Sequence, residues 1–291
     1  MAIEEYMLKE REEDLVFLYI NNPCVVLGKH QNAYAETNAA YCEQNGISVH
    51  RRLSGGGTVY HDLGNINFCF IRTMEHQDKL IDFAKFLRPI QDYLKTWGIE
   101  AVFSGRNDLL VDGFKISGNA EHVYQKKKRV IHHGTLLYSS KLDSLGNAIR
   151  PNTLCTYTSK AVNSVRSKVQ NIAHFIEDAP SAINFMQAMG DYFLLKMKGE
   201  SMNMDDFEIK IEDYKSKYQT WDWNYGYSPN YTVAIELLNE SFLNLKVNKG
   251  IIAEANLEKE SGVFSIDALM GRPHKKEELE KKSEGLPIVD I

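Results

Sequence analysis

The chain has 291 residues, 43% of them apolar and 25% charged, with a formal net charge of −5. That balance suits a globular protein of one large domain, or one plus a small one, and exerts no global pull toward nucleic acid or an anionic membrane surface. Four cysteines (Cys24, Cys42, Cys69 and Cys155) lack CxxC spacing, which fits reduced cytoplasmic thiols rather than a disulfide framework or a zinc site.

No run reaches the roughly 20 apolar residues of a membrane span. The acidic stretch 1–14 lacks an apolar signal core, so no export is expected. It opens inside a helical pattern, with Ile3, Tyr6 and Met7 on one face and no cap before them, which predicts an element ahead of it in the intact domain. Residues 14–21 and 24–29 read as strands. Residues 37–46 read as a short helix capped by Thr37 and stopped by Gly46. Strands are expected on either side of Gly55-Gly56-Gly57. In the last of these, over 65–73, Asn65, Asn67 and Cys69 alternate with Ile66, Phe68 and Phe70, giving two different faces. Residues 78–98 predict a helix with Leu80, Ala84, Leu87 and Leu94 near one face and a kink at Pro89. Further strands follow over 100–104, 108–117 and 129–139, with Asp112-Gly113 as a two-residue hairpin turn inside the second stretch. Residues 181–197 predict an amphipathic helix striped by Ala182, Met186, Met189, Phe193 and Met197, the methionines serving as core filler. The aromatic stretch 220–231 breaks the pattern. Beyond it lie a three-strand meander over 231–258 and a solvated helix over 271–285. A boundary near 229 divides a large domain, 1–228, from a small α+β accessory domain, 229–291, too small to be stable without leaning on its neighbour.

Four constellations could carry chemistry. The stretch Arg51–Asp62 joins two arginines, Ser54, three glycines, Thr58, Val59, Tyr60 and His61. It matches neither a GxxxxGK[ST] loop nor GxGxxG, and alone it could be a wide turn. With Arg51 and Arg52 on a strand end and Asn65 beyond, it describes a nest for an anion. In the second, Asn107 and Asp108 precede a strand. Lys115 follows the hairpin in apolar company, as an edge lysine that snorkels or as a cation aimed into a pocket, with Ser117, Gly118 and Asn119 beyond it. Third, His132 and His133 are adjacent on a strand and point to opposite faces, so they cannot readily share one metal. KKKR at 126–129 reads as an exposed turn or a docking site for an acidic partner. Fourth, Lys160, Ser164, Arg166 and Lys168 lie in a polar stretch, either a solvated loop or a mobile cover for an anionic ligand. No GxSxG elbow, HExxH or paired-carboxylate signature occurs. Pattern alone therefore reaches an enzyme that binds an anionic, nucleotide-like ligand at a glycine-rich strand edge.

In this order and at these separations, RRLSGGGTVYHDLGNINFCF, GRNDLLVDGFKISGNA, HHGTLL, SVRSKVQN and WDWNYGYSP resemble the lipoate–protein ligase A family. The resemblance runs from Ile3 to the end and is strongest over 50–171. It implies an α+β fold of the class II synthetase and biotin-ligase type, with mixed, mostly antiparallel β-sheets flanked by helices, plus a small accessory domain. It implies adenylation of lipoate by ATP with Mg2+, then acyl transfer to a lysine of a lipoyl carrier domain. That carrier is a glycine-cleavage H protein or a 2-oxoacid dehydrogenase E2 subunit, and the enzyme is expected to be a monomer with no nucleic-acid or membrane partner. By motif, Arg52, Ser54, Gly55, Gly56, Gly57, Thr58, Val59 and Tyr60 match the nucleotide-holding stretch. Lys115 matches the lysine contacting lipoate and adenylate, and Asp108 is the expected Mg2+ ligand or partner of the incoming amine. Ser164 and Arg166 match a loop closing over the adenylate. His61, His133, Phe68 and Phe70, with Val26 and Leu27, are the expected walls around lipoate. The chain departs from the family in lacking a strand before its first helix and in being short between Val263 and Gly271. Two other readings remain open: an ATP-independent octanoyl or lipoyl transferase, which would need a nucleophile such as Cys155, and a non-catalytic lipoate- or carrier-binding protein.

Overall fold

The computed structural model describes residues 1–75, 79, 81–150, 153–203, 205, 210–237 and 240–282. Six strands form the main sheet in the order β1-β5-β9-β8-β7-β6: β1 (Leu15–Ile20), β5 (Asn65–Thr73), β6 (Val102–Phe103), β7 (Asp108–Val111), β8 (Phe114–Tyr124) and β9 (Arg129–Leu137). All neighbours in it are antiparallel. The hairpin between β7 and β8 turns at Asp112 (φ 49°) and Gly113 (φ 80°), both left-handed as a primed turn requires. Of KKKR, Lys126 to Lys128 lie in the turn between β8 and β9, but Arg129 opens β9 and is buried.

The alternation along β5 sets the two faces of this sheet. Ile66, Phe68 and Phe70 enter the main core with helices α4 (Phe83–Thr96) and α6 (Ala182–Met197). Cys69 and Ile71 face the other way, under Tyr6, Met7 and Leu8 of α1 (Ala2–Glu10). A second sheet of three strands, β2 (Cys24–Leu27), β3 (Ser48–Arg51) and β4 (Val59–His61), runs in the order β3-β2-β4 and carries the glycine triplet between β3 and β4.

Several sequence expectations shift. Asn38, not Thr37, caps the helix Ala39–Gln44; Thr37 Oγ1 instead donates to Ala33 O at 2.8 Å and closes a short helix, Ala33–Glu36, that periodicity is too brief to reveal. The helix expected from 78 starts at Phe83, because Asp82 accepts from Lys85 N; Leu80 lies outside the described residues. On α6, Phe185 is buried while Met197 is 43% exposed. An uncharged helical pattern is missing from Glu212–Gln219, which nevertheless forms a helix.

The accessory sheet also departs from a break at 228/229. Its strands β11 (Tyr231–Leu237), β12 (Ser241–Asn248), β13 (Ile251–Lys259) and β14 (Gly262–Ser265) are joined by an edge strand, β10 (Cys155–Ser159), from the middle of the large domain. β10 pairs with β11 from Cys155↔Ile235 to Ser159↔Tyr231. Backbone pairing supplies its place there, which local periodicity does not encode. The charged C-terminal helix, Lys276–Lys282, buries Leu279 in the accessory core.

Docking of this sheet centres on His274. Tyr34 OH donates to its carbonyl oxygen, and Tyr231 OH lies in hydrogen-bond contact with Nδ1 at 2.5 Å. Burial pulls the imidazole down to about 4 from its ordinary 6.5. Because the folded value is depressed, the unfolded chain binds a proton between these values and the native one does not, so stability falls as pH drops from 6.5 toward 4. His274→Asn is expected to reduce the loss of stability between pH 7 and pH 5 by about 2 kcal/mol, read by denaturant melts at both pH values. An identical pH dependence in the variant would contradict this.

Candidate active site

A cleft of about 420 Å³ lies between the α1 side of the main sheet and the three-stranded sheet. Tyr19, Asn67, His133, Thr135, Asn119 and Asp108 line it from successive strands of the main sheet, while Val26, Gly55 to Val59 and His61 line it from the other side. On β4 the two-residue period sends Val59 and His61 into the cleft and buries Tyr60 among Val25, Leu27 and Ile47.

Arg52 shapes the glycine loop. Its guanidinium donates to Ser54 Oγ (2.9 Å), Val26 O (3.0 Å), Gly55 O and Gly57 O (both 2.7 Å), taking four of its five N–H groups. Gly56 makes the bend at φ 88°, where a Cβ would also press to 3.2 Å from Arg52 Nη2. The loop thus wraps around a cation, and burial draws Arg52 down to about 10. Arg51 turns away from the cleft. Fully buried, it donates to the carbonyls of Gly28, Lys29, Gln31, Trp223 and Asn224 and to Ser228 Oγ. It fastens the aromatic stretch to the turn after β2 and does not bind an anion in the cleft. Alternation along β3 is the cause, since adjacent residues cannot share a face.

The 160–168 loop closes over the triplet. Thr58 N–H donates to Ser164 Oγ at 2.9 Å, and Gln31 Nε2 donates to the same oxygen at 3.0 Å. Ser164 Oγ in turn donates to Glu36, whose other carboxylate oxygen accepts Ser164 N–H at 3.1 Å. Gln31 and Glu36 were not legible as site residues: they sit in a polar-looking loop with no motif around them. Removing the carboxylate frees this anchor. Glu36→Ala is expected to speed tryptic cleavage after Lys160, Arg166 or Lys168 by about 5-fold or more, the effect of losing about 1 kcal/mol of local order. An unchanged digestion rate would contradict the anchor. Arg166 itself is exposed and does not line the cleft.

At the far strands of the main sheet, Lys115 Nζ stands 2.9 Å from Asp108 Oδ1 as an ion pair. The backbone of Lys115 is clamped by the covering loop, with N–H to Lys168 O at 2.8 Å and its carbonyl accepting from Gln170 N at 3.2 Å. Gly118 leaves room for the lysine stem, whose Cε and Nζ pass 3.1 Å from the position a Cβ would take. Arg106, exposed, adds a cation to the cleft wall here. Two buried side-chain atoms of cleft residues have no hydrogen-bond partner among the described residues: Asn119 Oδ1, an acceptor, and His61 Nε2. Among the described residues no group of three or more His, Cys, Asp or Glu could cage a metal. Mg2+ needs only one or two carboxylates alongside substrate phosphates, and Asp108, a buried carboxylate lining the cation-rich end of the cleft, fits that requirement.

At the other end, a buried polar chain links α1 to the glycine loop. Glu4 accepts from Tyr19 OH at 2.9 Å and from His133 Nδ1 at 3.1 Å, and His133 Nε2 meets Ser54 Oγ at 2.5 Å. Burial pushes the Glu4 carboxyl up, but His133, the amino terminus and these hydrogen bonds outweigh it and hold the group well below the usual carboxylate range. Ser54, His133 and Glu4 share the connectivity of a Ser-His-acid triad. Ser54 is wholly buried, however, and its oxygen already accepts from Arg52, so it is a strut and not a nucleophile. His132 faces the opposite core and pairs with Glu121 at 2.9 Å.

Phe68, Phe70 and Leu27 do not reach the cleft. The phenylalanines lie in the main core and Leu27 in the satellite core under Tyr60, so Asn67 takes the wall position that alternation denies to its neighbours. Val26 does line the cleft. All four cysteines are buried and none lines it. Burial raises the Cys155 thiol above its ordinary value, the reverse of what a nucleophile needs.

Residues 1–194 match the model of the lipoyl protein ligase A/B catalytic domain. The chain belongs to that family. It is 39% identical over 274 residues to lipoate-protein ligase LplJ of Bacillus subtilis (strain 168), spanning 88% of this chain and 80% of that protein. Its fold is similar to P. falciparum LipL1 in complex with lipoate, at a TM-score of 0.65 and 23% identity over 99% of this chain and 91% of that one. It is also similar to a lipoate-protein ligase A bound with ATP, at 0.63 and 23% over 78% and 92%. The fold class is therefore the expected one: mixed, mostly antiparallel sheets flanked by helices. No helix among the described residues is long and apolar enough to cross a membrane.

Proposed function

We propose that this chain is an ATP-dependent lipoate–protein ligase, forming lipoyl-AMP and passing the lipoyl group to a lysine of a lipoyl carrier domain. The single observation that carries the reading is one cleft that joins a Lys115/Asp108/Arg106 end to an enclosed end free of unpaired charge, beneath a glycine loop. Relatives named for this activity, and neighbours with lipoate and with ATP, support it.

In the first step a lipoate carboxylate oxygen attacks the α-phosphorus of ATP. The bond to the bridging oxygen breaks, and pyrophosphate leaves with the electron pair. Two anions must meet, so the protein's task is to supply fixed cations and N–H donors. Lys115 Nζ leaves Asp108 for the carboxylate and α-phosphate oxygens. The N–H groups of the triplet, Thr58 among them, face the nucleotide once Ser164 yields. Mg2+ bound by Asp108 and the ATP phosphates would offset phosphate charge. In the second step the carrier lysine's amine attacks the acyl carbon, its C–N bond forms, and AMP leaves with the C–O electron pair. Lys115 polarises the mixed anhydride, and Asp108 accepts a hydrogen bond from the incoming amine. The enzyme acts as a cytoplasmic monomer on an E2 lipoyl domain or an H protein.

The test mixes the protein with Mg2+, ATP, lipoate and an apo lipoyl domain and follows carrier mass. Lipoylation that requires ATP is expected, and Cys155→Ala should retain it. Acylation from an acyl carrier without ATP, abolished by Cys155→Ala, would establish the transferase instead.

A further inference from the structure

The enclosed end of the cleft contains a donor without a partner. His61 is 5% exposed. Its Nδ1 lies 2.9 Å from Asn21 Nδ2, an amide nitrogen that can only donate. Nδ1 is therefore the acceptor, and the ring proton sits on Nε2. Nε2 has no hydrogen-bond partner among the described residues. Burial, reinforced by Arg52, pulls the imidazole down to about 3, so the ring stays neutral with that single N–H. A buried N–H with nothing to donate to is unfavourable, and it points to a ligand atom that accepts.

The position of His61 indicates which atom. The sheet order β1-β5-β9-β8-β7 separates Tyr19 from Asp108 by four strand spacings, roughly 19 Å. Phosphate chemistry belongs to the Asp108–Lys115 end, where the cations are and where Arg106 and Val165 open to solvent. The opposite end, around Val26, His61, Asn67 and Glu4, is buried throughout. Glu4 and Asn67 there already have partners: Tyr19 and His133 for the carboxylate, Tyr19 O and Asn65 for the amide. An acyl chain running from a carboxylate at Lys115 ends in this pocket. An eight-carbon saturated chain offers no acceptor there. A chain ending in a cyclic disulfide offers two sulfur atoms, each a weak acceptor.

We propose that His61 Nε2–H donates to a sulfur of the bound dithiolane ring and makes His61, held in its tautomer by Asn21, a specificity-determining residue for lipoate over octanoate. The inference rests on the lipoate ligase reading above. It follows the rule that a site built around a donor discriminates against the analogue that leaves it unpaired. Sulfur accepts weakly, so the discrimination is modest, roughly 10-fold.

The experiment measures kcat/KM for lipoate and for octanoate, by pyrophosphate release with Mg2+, ATP and an apo lipoyl domain. His61→Phe keeps a flat ring without the donor, and His61→Gln restores an N–H. The lipoate-to-octanoate ratio is expected to fall roughly 10-fold in His61→Phe and to recover in part in His61→Gln. Equal loss for both acids, or no difference between the two variants, would overturn the proposal. If His61→Phe fails to fold, nitrogen NMR of the wild-type imidazole decides: the Nε2–H resonance should move with lipoate and stay with octanoate, and equal movement would overturn it. Wild-type protein inactive with both acids overturns the ligase reading itself. Activity with both acids and an unaltered ratio overturns only the role of His61.

Discussion

Lys115→Ala is expected to lower lipoate-dependent pyrophosphate release by about 10²–10³-fold. One oriented charge in a site shielded from water contributes a few kcal/mol to the transition state. The structure gives reasons to expect the upper part of that range. Arg52 has given four of its five N–H groups to the loop. Lys115 is therefore the inward-facing cation left to neutralise the carboxylate and phosphate together. Its position is set by backbone bonds to Lys168 and Gln170 that do not depend on its side chain, so truncation should leave the strand and the covering loop in register. The effect should fall on kcat more than on KM, because charge accumulates as the new P–O bond forms. Release within a factor of about three of wild type would remove Lys115 from the chemistry.

Arg51→Met should act almost wholly on stability. The variant takes the guanidinium donors away from the carbonyls of Lys29, Gln31 and Asn224. Each orphaned group costs about 1–3 kcal/mol, so a total loss of about 4 kcal/mol or more is expected, or a fall of roughly 8–16 °C in Tm. Arg51 also draws the Arg51 N–H to Asn224 Oδ1 and the indole of Trp223 to its own carbonyl, so the aromatic stretch should loosen with it. Calorimetry reads the effect directly. A shift below about 2 °C would mean that these carbonyls find other partners on relaxation.

The contrast between the two arginines shows what the sequence could and could not convey. Periodicity placed the strands of the main sheet well, because each needs two distinct faces: Asn65–Thr73 and the Asp112-Gly113 hairpin follow from residue type alone. The same alternation sends Arg51 out of the cleft and Arg52 toward it, yet two adjacent charges look equivalent before the faces are known. Phe68 and Phe70 failed as cleft walls for the same reason, since apolar residues on a sheet buried on both sides can enter either core. Gln31 and Glu36 were hidden because their importance comes from meeting Ser164 across more than a hundred residues. β10 was hidden because an edge strand is recruited by pairing with Tyr231–Leu237 and not by any pattern of its own.

The coupling of these parts also bears on function. β10 ends at Ser159, directly before the loop that places Ser164 over the glycine triplet. The accessory sheet thus holds one end of the cover, and Glu36 holds the other.

The central claim, that this cleft joins lipoate to AMP, is tested most directly by exchange of labelled pyrophosphate into ATP without any carrier protein. Exchange that requires lipoate and Mg2+ and is lost in Lys115→Ala is the expected result. No lipoate-dependent exchange, together with acyl transfer between carriers in the absence of ATP, would contradict it.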